Sequence, residues 1–336
     1  MNSMLSYTSS SKGNSLRLQT IALLALVAVY GLAVESITRY VLSPMSKIQR
    51  VFTSELAQTA HLQSAADGRP RALLVVGNSL LDAAVDFGQL NSSLGSEWRA
   101  LRLYVSNSDY LDWRFGLSKL LASGTHPDAV AVMLTPRQLV TDQFRGGFSA
   151  HYMMRVSDLP QLAEEAHLHP TAASSLLFAR YSLFYGIRAE LRNGILAQVF
   201  PNLPDVLFRL AYTHRPKLGD EAVQRRSTTR LRELKATTDA YGIPLVLLLP
   251  PLSSTSASEQ EAEPPVIESG RQAGVQVLNP LPAGELPLSA FRDGFHTNRQ
   301  GAIAYTTRLG PILRGWLETS VPRSASVDIN SRRVGQ

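Results

Sequence analysis

The sequence contains no cysteine, which excludes disulfides, thiolate metal sites and thiol nucleophiles. Charge is sparse, at 18% of residues, and the net +6 is scattered along the chain rather than gathered into a basic patch. That dispersal argues against a nucleic-acid partner. No internal repeat is present. The chain does have length and apolar content: its 336 residues are 44% hydrophobic, enough for one large or two small domains, with disorder expected only at the ends.

The first informative feature is the uncharged run "IALLALVAVYGLAV", 21–34, preceded by Lys12 and Arg17 and followed by Glu35 and Arg39. A basic flank before an apolar segment directs the flank to the cytoplasmic side and the rest of the chain outward. A spanning helix needs about 20 apolar residues. This run reaches that length only by recruiting residues up to Leu42, so a cleavable signal with Gly31 and Ala33 before the cut competes with an uncleaved anchor. The anchor is the preferred reading. It divides the chain into a cytoplasmic tail (1–17), a single membrane segment (18–42), a juxtamembrane linker (43–70) that reads as a helix from Pro44 followed by the polar stretch "SAADGRP", an extracytoplasmic domain (71–319) and a disordered tail (320–336). In a bacterial-type cell this is a protein of the inner membrane whose folded part faces the periplasm.

Beyond the linker, aliphatic runs alternate with helical spacing. "RALLVVG" (71–77) reads as a strand buried on both faces, and "LRLYVS" (101–106), "DAVAVMLT" (128–135), "IPLVLLLP" (243–250) and "VQVLN" (275–279) read as four further strands. Helices between them, including one capped at Asp109 and ending near Gly124, predict a doubly wound parallel sheet. The alternation lapses over 138–220, a stretch rich in aromatic, Arg and His residues that reads as a helical insertion. Its "FRGGFS" segment has the glycines of a mobile lid. Its other aromatic residues fit core packing as well as a sugar-binding groove.

In such a sheet, reactive groups collect beyond the carboxyl ends of the strands. Ser79 follows the first strand directly, where the next helix would direct its N-terminal amides toward the hydroxyl. Serine in that position is, taken alone, most simply a helix cap. The second piece is "DGFHTN", in which Asp293 and His296 lie three apart before the last helix. Asp-x-x-His alone is most simply a surface turn. In chain order after a strand-end serine, however, the pair supplies a base and its orienting carboxylate, so the two fragments together predict a Ser79–His296–Asp293 triad.

These residues resemble the blocks of the SGNH (GDSL-like) hydrolase superfamily, in a membrane-tethered form similar to proteins of bacterial exopolysaccharide acetylation. The first block, usually Gly-Asp-Ser, is Gly77-Asn78-Ser79 here, and the last is Asp293 with His296. The resemblance implies a flavodoxin-like five-stranded α/β fold with no cofactor. The implied activity is acyl-ester hydrolysis or O-acetyl transfer on an envelope or exported polysaccharide, with polysaccharide export proteins as partners. It also implies an oxyanion hole. The family's glycine after the second strand falls in "VSNSD", so Ser106 or Ser108 would give a backbone amide. The Gly-x-Asn-Asp block falls in "LTPRQL", so Arg137, Gln138 or, from the neighbouring loop, Asn107 would replace the asparagine, with Arg137 preferred as a charged donor. Asn78, Asn107 and Gln138 are the candidate substrate contacts. The missing asparagine leaves a rival of another class, a catalytically inactive carbohydrate-binding or scaffold protein. A lipid acyl esterase is a third reading.

No metal site is expected. His151, His167 and His169 have no carboxylate partners at ligand spacing. The arginines of "RRSTTRLREL" (225–234) read as a solvated helix face.

Overall fold

The computed structural model describes residues 10–60, 62–63, 69–200 and 219–321. The start of the expected cytoplasmic tail, most of the C-terminal tail, part of the linker and the end of the insertion lie outside these residues.

Five parallel strands form one sheet: β1 (Arg71–Gly77), β2 (Trp98–Tyr104), β3 (Ala129–Met133), β4 (Leu245–Leu248) and β5 (Gln276–Leu278). Their order is β2-β1-β3-β4-β5, the doubly wound order expected. The continuous aliphatic strands are explained by coverage on both faces. Leu74, Val76, Val130, Val132 and Leu247 join one core, whereas Leu73, Val75, Ala131, Met133 and Leu248 join the other.

The helices follow in chain order. α1 (Ser10–Ile37) continues through a π-helical turn (Thr38–Leu42) toward α2 (Lys47–Thr59). α3 (Ser79–Ala84) and α4 (Phe87–Leu94) connect β1 to β2, and α5 (Tyr110–Ala122) connects β2 to β3. The insertion holds α6 (Pro136–Val140), α7 (Gly147–Tyr152), α8 (Leu159–Glu165), α9 (Pro170–Tyr181) and α10 (Leu183–Val199). α11 (Asp220–Asp239), α12 (Glu263–Ala273) and α13 (Arg299–Ser320) complete the domain. The insertion is not a separate body: Phe148, Met154, Leu162 and Ile187 lie in the same core as α5, α11 and one face of the sheet.

The region around Ser15–Met45 is long and apolar enough to cross a membrane, and none of its apolar window is buried. A signal sequence near an N-terminus has the same character. The following segment contains a helix, as expected of 44–70, and that helix packs on the domain. α2 buries Phe52 against Phe148 and Tyr152, with ring centroids 5.2 Å apart in each pair. Its Glu55 accepts from Arg102 Nε at 2.6 Å and from the Tyr104 amide at 3.0 Å. Three polar residues of this helix, Gln49, Glu55 and Thr59, are buried, and Gln49 accepts from the Tyr152 hydroxyl at 2.6 Å.

Candidate active site

Ser79 is not the cap of α3. Asn78 is: its Oδ1 accepts the Leu80 amide at 2.9 Å while its Nδ2 donates to the Ser108 carbonyl at 3.0 Å. The cap therefore also braces the β1 end against the loop after β2, and it leaves Ser79 as the first helical residue. At that position the backbone N–H has no intrahelical acceptor, and among the described residues it has none elsewhere. Gly77 is required for closeness rather than for a turn of unusual φ. A Cβ there would lie 2.9 Å from the Met133 carbonyl of the neighbouring strand.

The other half of the site is a closed turn at the far end of the chain. Phe291 and Thr297 form an isolated antiparallel bridge, and Arg292 N–H donates to the His296 carbonyl at 2.9 Å. Gly294, at φ +79°, reverses the chain inside it, a conformation costly for any residue with a Cβ. The reversal lets Asp293 Oδ1 accept the Phe295 and His296 amides at 3.0 and 2.6 Å, leaving Oδ2 for the ring, 2.7 Å from His296 Nδ1. On the other side of the ring, His296 Nε2 lies 2.9 Å from Ser79 Oγ.

Partial burial pushes the Asp293 carboxyl upward. The His296 amide and ring and the Phe295 amide outweigh that, so its pKa is lowered overall. The carboxylate is thus ionised wherever the imidazole must act as a base. With Nδ1–H donating to it, Nε2 carries the lone pair that faces the hydroxyl.

Two hydroxyls that the sequence reading did not single out hold the halves together. Thr297 Oγ1, from a buried side chain, donates to the Ala83 carbonyl of α3 at 2.6 Å. Ser253 Oγ, beyond β4, donates to the Gly294 carbonyl at 2.5 Å. A sequence signal existed only for Thr297, which directly follows His296.

The remaining expected site residues lie elsewhere or are already engaged. Asn78 is 1% exposed, and both ends of its amide are bonded within the protein, so it is a brace rather than a substrate contact. Ser108 is fully buried; its amide donates to the Val105 carbonyl and its hydroxyl accepts from Trp113 Nε1 at 2.9 Å. That leaves Ser106 and Asn107 in the loop, and among the described residues neither amide has an acceptor. Asn107 is exposed at φ +57°, the left-handed conformation that favours the glycine of the resembled family. Gln138 Oε1 caps α6 by accepting the Thr135 amide at 2.9 Å. The Arg137 amide and the Thr135 hydroxyl are held by the buried Glu259 carboxylate, at 3.0 and 2.9 Å. Neither Arg137 nor Gln138 is hydrogen-bonded to Ser79 or His296.

Beside the loop, a cleft of about 670 Å³ runs from Asn107 past Phe144 and Arg145 to Arg188, Arg192 and Asn193 of α10. The "FRGGFS" glycines line it, but they are not a loose lid. Gly147 packs so closely on α10 that a Cβ would lie 2.9 Å from the Gly186 carbonyl, and α7 begins at Gly147. The Arg145 amide is in turn bonded to the fully buried Asp112 carboxylate at 3.0 Å. Among the described residues no cluster of His, Asp and Glu is arranged to hold a metal ion. His151 Nδ1 lies 2.9 Å from the Ala179 carbonyl, and His167 and His169 are exposed.

No family model matches the chain, and no curated protein matches it. Among solved structures, it aligns with the crystal structure of LAE5, an alpha/beta hydrolase enzyme from the metagenome of Lake Arreo, Spain. The alignment covers 74% of this chain and 98% of that one at 14% identity, with a TM-score of 0.38.

Proposed function

We propose that the chain is a serine acyl-ester hydrolase or acyltransferase, tethered to the outer face of a membrane by α1. The observation that carries this reading is the unbroken relay from Ser79 Oγ to His296 Nε2 at 2.9 Å and from His296 Nδ1 to Asp293 Oδ2 at 2.7 Å. Its two ends are separated by more than two hundred residues of sequence. Surface turns and helix caps do not require that meeting.

In the proposed cycle, the imidazole takes the hydroxyl proton as Ser79 Oγ attacks an ester carbonyl. The Ser79 amide and an amide of the Ser106–Asn107 turn stabilise the oxyanion, replacing the expected Ser108 donor. His296 returns the proton to the leaving alcohol, and the acyl group remains on Ser79. Water then gives hydrolysis; a sugar hydroxyl gives transfer. The acyl group is acetyl and the substrate an envelope or exported polysaccharide. This is supported by the block resemblance and by the cleft that starts at Asn107, whose lining includes the donors Arg188, Arg192 and Asn193.

Fluorophosphonate labelling of the full chain tests the reading. The wild type is expected to label at Ser79, with labelling abolished in Ser79→Ala and His296→Ala. An inert, folded wild type would overturn the enzyme proposal in favour of a scaffold. Strong preference for long acyl chains among nitrophenyl esters would overturn the polysaccharide assignment in favour of lipid.

A further inference from the structure

The apolar helix ends against the insertion, and the contact is specific. Glu35 is the first charged residue after the apolar run and sits against the N-terminus of α10. Its carboxylate accepts the Leu183 amide at 2.9 Å, the Phe184 amide at 3.2 Å and the Ser182 hydroxyl at 2.9 Å, and it pairs with Arg39 one turn on at 3.2 Å. A carboxylate immediately beside a bilayer core needs such partners, and the positive end of a helix supplies them. If 16–34 spans the hydrocarbon, Glu35 lies at its outer boundary, and the α9–α10 corner bonded to it lies at the same height.

That corner is unusually apolar for a solvent-facing surface. Phe178 and Tyr181, one turn apart on α9, are 63% and 71% exposed, and Phe184 at the start of α10 is 39% exposed. Leu177 and the Tyr40 ring of the emerging helix extend the patch. Aromatic rings at a membrane boundary bury their faces among the upper acyl chains while Tyr hydroxyls stay at the headgroups. Arg39, half exposed, is at the right level for lipid phosphates.

We propose that the α9–α10 corner is a lipid-seating surface: Phe178, Tyr181 and Phe184 insert into the outer leaflet beside the anchor helix and fix the domain's orientation on the bilayer. The proposal rests on the anchor reading of α1 but not on the esterase chemistry. The hydrogen bonds to Glu35 make the seat rigid, so the catalytic face is held at a set height instead of swinging on a tether.

Depth-dependent quenching tests it. The full chain is reconstituted into phosphatidylcholine vesicles with Phe178→Trp, Tyr181→Trp or, as a control on the opposite sheet face, the partly exposed Ile312→Trp. Native Trp98, Trp113 and Trp316 are buried and give the same background in each. Lipid brominated on the upper acyl chain is expected to remove about half of the added emission at 178 and 181, and little at 312, because interfacial side chains reach that depth. Equal, weak quenching at all three positions in an intact, reconstituted chain would overturn the seat alone and leave the patch to a protein partner. A mature chain found by mass spectrometry to begin after Ala33 would overturn the anchor and the seat together.

Discussion

Asp293→Asn perturbs one atom of the relay. Oδ1 keeps its role, because an amide oxygen can still accept the Phe295 and His296 amides that now bind at 3.0 and 2.6 Å, so the turn around Gly294 is expected to survive. Oδ2, 2.7 Å from His296 Nδ1, becomes an NH2 group. A donor facing Nδ1 demands a lone pair there, which moves the ring proton to Nε2, the nitrogen that must accept from Ser79. The ring stays in place with the wrong tautomer and loses its countercharge. Such a change costs about 10³- to 10⁴-fold in kcat, or about 4 to 5.5 kcal/mol of transition-state stabilisation. The assay pairs nitrophenyl acetate turnover with the rate of fluorophosphonate labelling, and both should fall together. Turnover within about threefold of the wild type, well under 1 kcal/mol, would refute the reasoning, because the carboxylate would then not set the tautomer.

Other perturbations read different layers of the structure. Thr297→Val removes the hydroxyl that ties the histidine turn to α3 at 2.6 Å; a loss of about 1 kcal/mol in denaturant unfolding is expected. Its kcat should fall more than its KM changes, as fits a positioning residue. Phe52→Ala should cost about 3 to 5 kcal/mol in unfolding free energy, since the ring is buried between Phe148 and Tyr152; a value under about 1 kcal/mol would mean that α2 is not docked on the domain. Asp112 is fully buried, and desolvation pushes its pKa up to about 6, only partly opposed by its hydrogen bonds. A carboxyl raised on folding is protonated in the native state while the unfolded chain ionises, so stability should fall as pH rises from about 4 to 6 and level off above. Relative to Asp112→Asn, which lacks that titration, the wild type should lose on the order of 3 kcal/mol across this window. Parallel stability curves for the two proteins would refute the shift.

What was legible in the sequence was what short-range rules control. β1, β3 and β4 were legible because burial on both faces leaves continuous aliphatic runs, and the edge strands β2 and β5 followed from the alternation; the observed strands lie within the expected ones, apart from β2, which starts earlier at Trp98. The meeting of Ser79 with Asp293 and His296 was legible because each half is a local motif and the strand order supplies the meeting point. Backbone commitments were not. Nothing in "VSNSD" states that the Ser108 amide is spent on Val105 while Asn107 takes a left-handed φ. Likewise, the helix at 47–59 was legible but its docking was not, because the partners of Gln49 and Glu55 come from β2 and the insertion, 47 to 141 residues away.

Asn78 also releases Ser79 from the capping role. A helix needs an oxygen at its N-cap, and a serine nucleophile placed there would spend its hydroxyl on the backbone. Asn78 supplies that oxygen, so Ser79 moves one position into the helix with its hydroxyl on the imidazole and its amide unspent. Unlike an aspartate, the asparagine also has a donor, and it spends that donor on the Ser108 carbonyl. Asn78→Asp would keep the cap but set a carboxylate against that carbonyl in a buried site, so the variant is expected to be less stable by about 1 to 3 kcal/mol. Its labelling rate should fall as well, since the Ser106–Asn107 turn loses its tie to the serine. An Asn78→Asp protein as stable and as reactive as the wild type would mean that the brace does not position the oxyanion loop.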